Sequence, residues 1–218
     1  MIDTKIIMLG ELAANCYIIT DKATGESAVI DPGSFTARLN YLLEELSYDK
    51  IKYILLTHAH FDHIEGVNQI IKYTNGKAKV AVGREDIPLL SDSMKNLAFP
   101  FSMTTLDPIR CDIPLDDNDR IKLGESEITV ITTPGHTKGS VCFLCGDSLY
   151  TGDTLFKGSA GRTDFPGGSY EQLKKSLKKL AALDGDYKVY PGHDRSTTLQ
   201  RERESNYYIT GEDYDSIY

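Results

Sequence analysis

Five histidines are spread over 218 residues, and three of them fall in the ten-residue stretch THAHFDHIEG at 57–66. The spacing H-x-H-x-D-H sets His58, His60, Asp62 and His63 within six residues. Imidazole nitrogens and a carboxylate grouped so closely suit a borderline cation such as zinc or iron. The remaining histidines, His136 in TPGHT and His193 in YPGH, each follow a glycine, and TGDT supplies Asp153. Any one of these residues alone would pass for an ordinary core or surface side chain. Their joint pattern points to metal chemistry.

The elements that must position them can be read from periodicity. CYIITDKATGESAVIDPG alternates apolar and polar residues about a Thr-Gly turn, the pattern of a hairpin ending at Asp31. SFTARLNYLLEELSY follows with Leu39, Leu42, Leu43 and Leu46 at helical spacing and Ser34 as the expected N-cap. IKYILLTH reads as a buried strand, with the histidine motif on the loop at its C-terminal end. EGVNQIIKYTNG predicts a helix stopped by Asn75-Gly76, and AKVAVG another short strand. Residues 91–119 lose periodicity, gather prolines and aromatics, and are expected to form a long loop that could wall a pocket. Short strands resume through residues 120–154, then the helix SYEQLKKSLKKLAAL and the strand YKVYPGH. Each half therefore carries a strand ending in Asp, a helix, and a strand ending in His. That faint echo predicts two similar halves built around βαβ units and facing one another.

Composition narrows the function classes. With 40% apolar and 26% charged residues, the chain suits one globular domain over 1–218 with a single core. A formal charge of −8 argues against a nucleic-acid partner, and the one basic cluster, KKSLKK at 174–179, sits on an amphipathic helix pattern. No apolar run reaches the ~20 residues of a membrane span, and the first residues lack the marks of an export signal. Cys16, Cys111, Cys142 and Cys145 are too few and scattered for a disulfide framework, so a soluble, cytoplasmic protein is expected. The C-x-x-C of SVCFLCG lies in a strand pattern and is expected to pack rather than bind zinc.

H-x-H-x-D-H, then Gly-His, then TGDT, then Gly-His resembles the metallo-β-lactamase superfamily in motif order over the whole length, and LFKGSAGRTDFPGGSYEQL at 155–173 resembles its compact glyoxalase II-like branch. The resemblance implies an α/β (α+β) fold, a four-layer αββα sandwich with metals along one edge of the packed sheets. It implies that His58, His60 and His136 hold one metal, that Asp62, His63 and His193 hold a second, and that Asp153 bridges them. Asp62 and Asp153 would then be the catalytic carboxylates. Two divalent ions are expected, zinc first, with iron or manganese as alternatives, because availability decides among metals that accept His and Asp. Such a pair lowers the pKa of a shared water so that hydroxide exists near neutral pH. The activity implied is hydrolysis of a thioester of the hydroxyacylglutathione (S-lactoylglutathione) type, on a small anionic substrate.

Asp31 is expected to orient a metal-bound histidine, or simply to form the turn before Pro32, and Thr57 and Thr151 to hydrogen-bond the site. Arg162 is the candidate for a substrate carboxylate, against the alternative of an ion pair with Asp164. Glu65 and Lys138 depart from the family pattern, and the chain ends soon after His193, leaving no room for the C-terminal glutathione-binding helical domain of full-length relatives. GRTDF suggests a competing activity, a mononuclear iron persulfide dioxygenase using His58, His136 and Asp153. An inactive metal-binding protein and a β-lactamase are weaker readings, the latter because those enzymes generally lack the bridging aspartate.

Overall fold

The computed structural model describes residues 1–211. Strands β1 (Ile2–Leu9), β2 (Ala14–Asp21), β3 (Ser27–Ile30), β4 (Ile51–Leu56), β5 (Lys79–Gly83) and β6 (Ile113–Leu115) form one six-stranded sheet in that order. The hairpin β2/β3 is antiparallel as its alternation predicts, whereas β3, β4, β5 and β6 run parallel. The second sheet holds β7 (Arg120–Leu123), β8 (Ser126–Thr132), β9 (Val141–Cys145) and β10 (Ser148–Gly152). A small ribbon of β11 (Leu155–Phe156) and β12 (Ser159–Ala160) follows, and β13 (Lys188–Pro191) and β14 (Thr197–Thr198) complete that sheet beyond β10.

Alternation along the strands sorts the core into three layers. Ile54 and Leu56 of β4 face outward, against Leu39 and Leu43 of α1 (Ala37–Leu46), while Leu55 between them faces the other sheet. The middle layer joins Tyr17, Ile19, Ile30 and Leu55 to Val130, Val141, Phe143 and Tyr150 of the second sheet. The outer face of that sheet packs Cys142, Leu149 and Val189 against Leu173, Leu177 and Leu180 of α5 (Tyr170–Ala181). The product is helix, sheet, sheet, helix, the four-layer sandwich. Cys142 and Cys145 point into different layers three residues apart in β9, so the C-x-x-C is packing, as expected.

The echo between the halves has a physical form. Both β3–α1–β4 and β10–α5–β13 are parallel strand–helix–strand units, and Asp31, His58, Asp153 and His193 all lie just past the C-terminal ends of their strands. Three local expectations change. Helix α1 is capped by Thr36, whose hydroxyl accepts from Leu39 N at 3.2 Å, not by Ser34. The histidine motif is not all loop: α2 (Phe61–Ile64) is a single helical turn that carries Asp62 and His63 and leads into α3 (Val67–Tyr73). The 91–119 segment contains α4 (Ala98–Ser102) and ends in β6, whose Pro114 is tolerated on a sheet edge. Helices α6 (Leu199–Ser205) and α7 (Tyr207–Thr210) follow β14, and Tyr208 packs into the outer layer beside α5. Residues 212–218, the remainder of the expected C-terminal segment, lie outside the described residues.

Candidate metal centre

All five histidines and Asp31, Asp62 and Asp153 meet at one edge of the sandwich. The inward ligand atoms of His58, His60 and His136 lie within 4.8 Å of one another, as do those of Asp62, His63 and His193. Between the two trios stands Asp153, which follows β10. Its Oδ1 is 3.5 Å from His63 Nε2, and its Oδ2 is 3.5 Å from His136 Nε2 and 3.7 Å from His193 Nε2. Asp62 Oδ2 lies 3.3 Å from His193 Nε2 and 3.5 Å from His63 Nε2. This close approach requires Gly192: a Cβ there would collide with Asp153 Oδ1.

Hydrogen bonds behind the rings fix which nitrogen faces inward. His63 Nδ1 donates to Asp31 Oδ2 at 3.1 Å. Thr57 donates its hydroxyl to the same oxygen at 2.6 Å and its N–H to Asp31 Oδ1 at 2.8 Å, which leaves the hydroxyl oxygen to accept from His58 Nδ1 at 3.2 Å. His136 Nδ1 donates to the Arg162 carbonyl at 2.8 Å. Nε2 of His58, His63 and His136 is thereby the inward atom, and His60 presents Nδ1, 2.9 Å from His136 Nε2. Asp31 also lies within 4.8 Å of the His58 and His63 nitrogens, but its oxygens already accept three bonds, so it serves to hold the rings. It does so from a left-handed backbone at φ 49°, an unusual conformation for a residue with a side chain.

Burial and charge act in opposite directions on the two sets of rings. His58 is driven well below the usual imidazole range by burial and by its neighbouring rings, and His60 falls to about 3 for the same reasons, so both keep free lone pairs. Burial also opposes charge on His63, but Asp62, Asp153 and Asp31 together outweigh it and raise His63 to about 10. His193 is raised as well, its burial overcome by Asp62 and Asp153. Asp62 is held below the ordinary carboxylate range because His63, His193 and His60 outweigh its burial.

The residues fit a divalent metal on a simple test. Among the described residues, His58 Nε2, His63 Nε2 and Asp153 Oδ1 are buried polar atoms with no hydrogen-bond partner, and all three point into this centre. Buried donors and acceptors left unsatisfied are costly, and lone pairs converging from imidazole and carboxylate are the donor set that a cation completes.

One residue in the scaffold gave no sequence signal. Asp86, fully buried in the 3-10 turn Arg84–Ser91, accepts from Ala59 N at 3.0 Å and Thr137 Oγ1 at 2.7 Å through Oδ2, and from Gly139 N at 2.8 Å through Oδ1. It ties the His58–His60 loop to the His136 loop. Thr57 contacts the centre as expected, whereas Thr151 donates to the Leu155 carbonyl instead. A cavity of about 420 Å³ opens over the histidines, walled by Leu12, Phe61, Leu97, Phe101, Phe156 and Phe165. Leu97 and Phe101 come from the long 91–119 segment, which therefore walls a pocket. Arg162 lies on the rim, its guanidinium held by Asp164 through two 2.7 Å bonds and stacked 3.9 Å over Phe165.

With this geometry in place, the comparisons place the chain. Residues 9–193 match the metallo-beta-lactamase superfamily. The chain belongs to that superfamily, whose members are predominantly metal-dependent hydrolases, and its His/Asp cluster suits a divalent metal. It is 33% identical to hydroxyacylglutathione hydrolase GloC of Haemophilus influenzae over 94% of this chain and 97% of that one. Two solved structures are similar over nearly full length. The BLEG-1 B3 metallo-beta-lactamase superposes with a TM-score of 0.85 at 30% identity, covering 97% of this chain and 100% of that one. TTHA1623 in a di-iron-bound form gives 0.80 at 32%, covering 93% and 98%. Among the described residues, no helix is long and apolar enough to cross a membrane.

Proposed function

We propose that the chain, as a single cytoplasmic hydrolase domain over 1–218, is a binuclear metal-dependent thioester hydrolase of the hydroxyacylglutathione type. The observation that carries this reading is the position of Asp153, with one oxygen turned to His63 and the other to His136 and His193. A carboxylate so placed can serve two cations at once. In this assignment His58, His60 and His136 would hold one ion, Asp62, His63 and His193 would hold the other, and Asp153 would be shared between them. Zinc is the first choice, and the di-iron form of a structural neighbour supports iron as an alternative, with manganese a third. When bound, two dications supply an acidified water near neutral pH and an electrophile for the substrate carbonyl.

The chain's own residues do the rest. Asp31 and Thr57 fix the rings of His63 and His58, and the Arg162 carbonyl fixes that of His136. The apolar walls of the 420 Å³ cavity exclude bulk water and receive an acyl group. A thiol leaves with a pKa of about 8.5, so no protein acid is needed to protonate it. The likeness to GloC supports a glutathione thioester in particular. Arg162 lies on the pocket rim and can meet a substrate carboxylate by exchanging from Asp164. Replacing it by Ala then raises KM for an anionic thioester more than for a neutral one.

The competing single-iron dioxygenase would use His58, His136 and Asp153 and leave the buried Nε2 of His63 without a partner, which favours the binuclear reading. Elemental mass spectrometry on protein purified without chelator decides between them, followed by a thioester panel and a persulfide assay in an oxygen electrode. About two ions per chain with thioester turnover abolished in Asp153→Ala is the expected result. A single iron with oxygen uptake on a persulfide overturns it.

A further inference from the structure

Next to the pocket lies a second opening that the assigned chemistry does not use. It is a groove of about 750 Å³ between the β1 edge of the first sheet and the loop after β13. Arg38, Lys157 and Arg195 line it, opposed by the single carboxylate of Asp194, with the exposed side chains of Ile6 and Met8 along one wall. The two cavities share a ridge: Phe156 and His193 line the pocket, and their chain neighbours Lys157 and Asp194 line the groove.

Two features mark it as built for a ligand. First, Arg38, Lys157 and Arg195 make no ion pair or hydrogen bond among the described residues, in a chain of net charge −8 where Arg84, Arg110, Arg120 and Arg162 are each engaged by an acid. Three unpaired cations gathered in an acidic protein form a local field of the opposite sign. Second, the rim is rigid. Buried Asn15 donates its backbone N–H to the Gly192 carbonyl at 2.7 Å and its amide hydrogens to the carbonyls of Pro191 and Asp194 at 3.0 and 2.9 Å, clamping the loop that carries Arg195.

We propose that this groove binds the anionic tail of the thiol half of the substrate, so that the acyl group sits in the apolar pocket and the carrier's phosphates or carboxylates lie against Arg38, Lys157 and Arg195. The inference rests on the thioesterase reading. It follows from where free positive charge stands: the one cation on the pocket rim, Arg162, must first leave Asp164 to meet an anion, whereas Arg38, Lys157 and Arg195 are unpaired. A long thiol carrier leaving the pocket past Phe156 and His193 meets unpaired cations only after it crosses the ridge.

The test compares wild type with Arg38→Glu/Lys157→Glu and with Arg195→Gln, on an acetyl thioester of coenzyme A, of glutathione and of neutral N-acetylcysteamine. The readout is the ratio of KM on the anionic thioesters to KM on the neutral one. We expect it to rise about tenfold in the double variant, the order expected for exposed charge contacts acting together, and to rise toward the variant's value in wild type at high salt. A larger effect on the coenzyme A ester assigns phosphates to the groove, and a larger effect on the glutathione ester assigns carboxylates. An unchanged ratio overturns the proposal while leaving thioester hydrolysis intact. Calorimetric binding of S-methyl-coenzyme A and S-methylglutathione gives an answer that needs no turnover. If wild type binds them and the double variant does not, the subsite stands even where no thioester is cleaved; if neither is bound by wild type, it falls.

Discussion

Asp31 and His63 are joined by a 3.1 Å hydrogen bond between Oδ2 and Nδ1, both side chains buried, across 32 positions of sequence. That one carboxylate, which Thr57 also grips through its hydroxyl and its backbone N–H, faces away from the cavity and sets the presentation of two rings. Removing it as Asp31→Ala frees His63 to rotate or take the wrong tautomer while leaving every proposed ligand in place. Metal affinity on the Asp62–His63–His193 side should fall by about 10- to 100-fold, the usual cost of losing such a partner. Metal titration by competition with a chromophoric chelator checks this, and an unchanged second-ion affinity would remove Asp31 from the machinery.

Asp86 does for two loops what Asp31 does for two rings. Its carboxylate accepts from three donors, Ala59 N, Gly139 N and Thr137 Oγ1, and burial pushes its pKa up against those bonds. Asp86→Asn presents an NH2 to donors and leaves at least one buried N–H unmatched, at a cost of about 1–3 kcal/mol. The variant should unfold at lower denaturant and bind the ion of the His58–His60–His136 trio more weakly than the other. Equal weakening of both ions would show a general loosening and not a clamp between these loops.

Metal removal should be visible in stability. Binding confined to the folded state stabilises by about 2.7 kcal/mol at one hundred times Kd, and for a chain of this size each kcal/mol moves Tm by about 2–4 °C. Chelator-treated protein should therefore melt about 5–11 °C lower than metal-replete protein, with recovery on adding zinc. Scanning calorimetry of the two forms measures the difference, and coincident transitions would mean that the centre binds its metal too weakly to matter for the fold.

The parts of this architecture legible in sequence are those set by short-range periodicity and by chemistry-bearing residue types. Ile54, Leu55 and Leu56 announce a buried strand, Leu173, Leu177 and Leu180 a buried helix stripe, and the five histidines an ion. What stayed hidden depends on long-range geometry. Asp86 is one acid among 32 Asp and Glu residues, and nothing local distinguishes it from a solvated one; its meaning comes from donors 27, 51 and 53 positions away. Pro114 argues against a strand, yet β6 exists because an edge position spares the missing N–H. Thr36 wins the α1 cap over Ser34, although serine is the slightly better capping type, because capping depends on the backbone at the turn. Likewise, the pairing of Arg162 with Asp164 is one of the two alternatives that sequence leaves open, and only the fold of the 161–165 segment commits the guanidinium to that acid.

The acid limb of stability offers a test far from the metals. Asp21 ends β2 with a buried carboxylate that accepts from Ser126 Oγ at 2.7 Å and from the N–H and hydroxyl of Thr24, both at 2.9 Å, and so couples the hairpin turn to the second sheet. The Ser126 and Thr24 bonds hold its pKa well below the ordinary carboxylate range. A depressed folded-state pKa means that the stabilisation is complete above the unfolded value of about 3.9 and drains away as pH falls through the lower folded value. Chemical denaturation should thus show wild type losing stability steadily below about pH 4, where the unfolded chain takes up a proton that the folded chain resists. Asp21→Asn has no proton to take up: it should be less stable than wild type at pH 6, and the gap should narrow toward pH 3. Metal-free protein is the right sample, because it removes acid-driven metal loss, and protonation of the centre then contributes equally to both proteins. Parallel pH profiles for the two proteins would show that Asp21 carries none of the acid sensitivity.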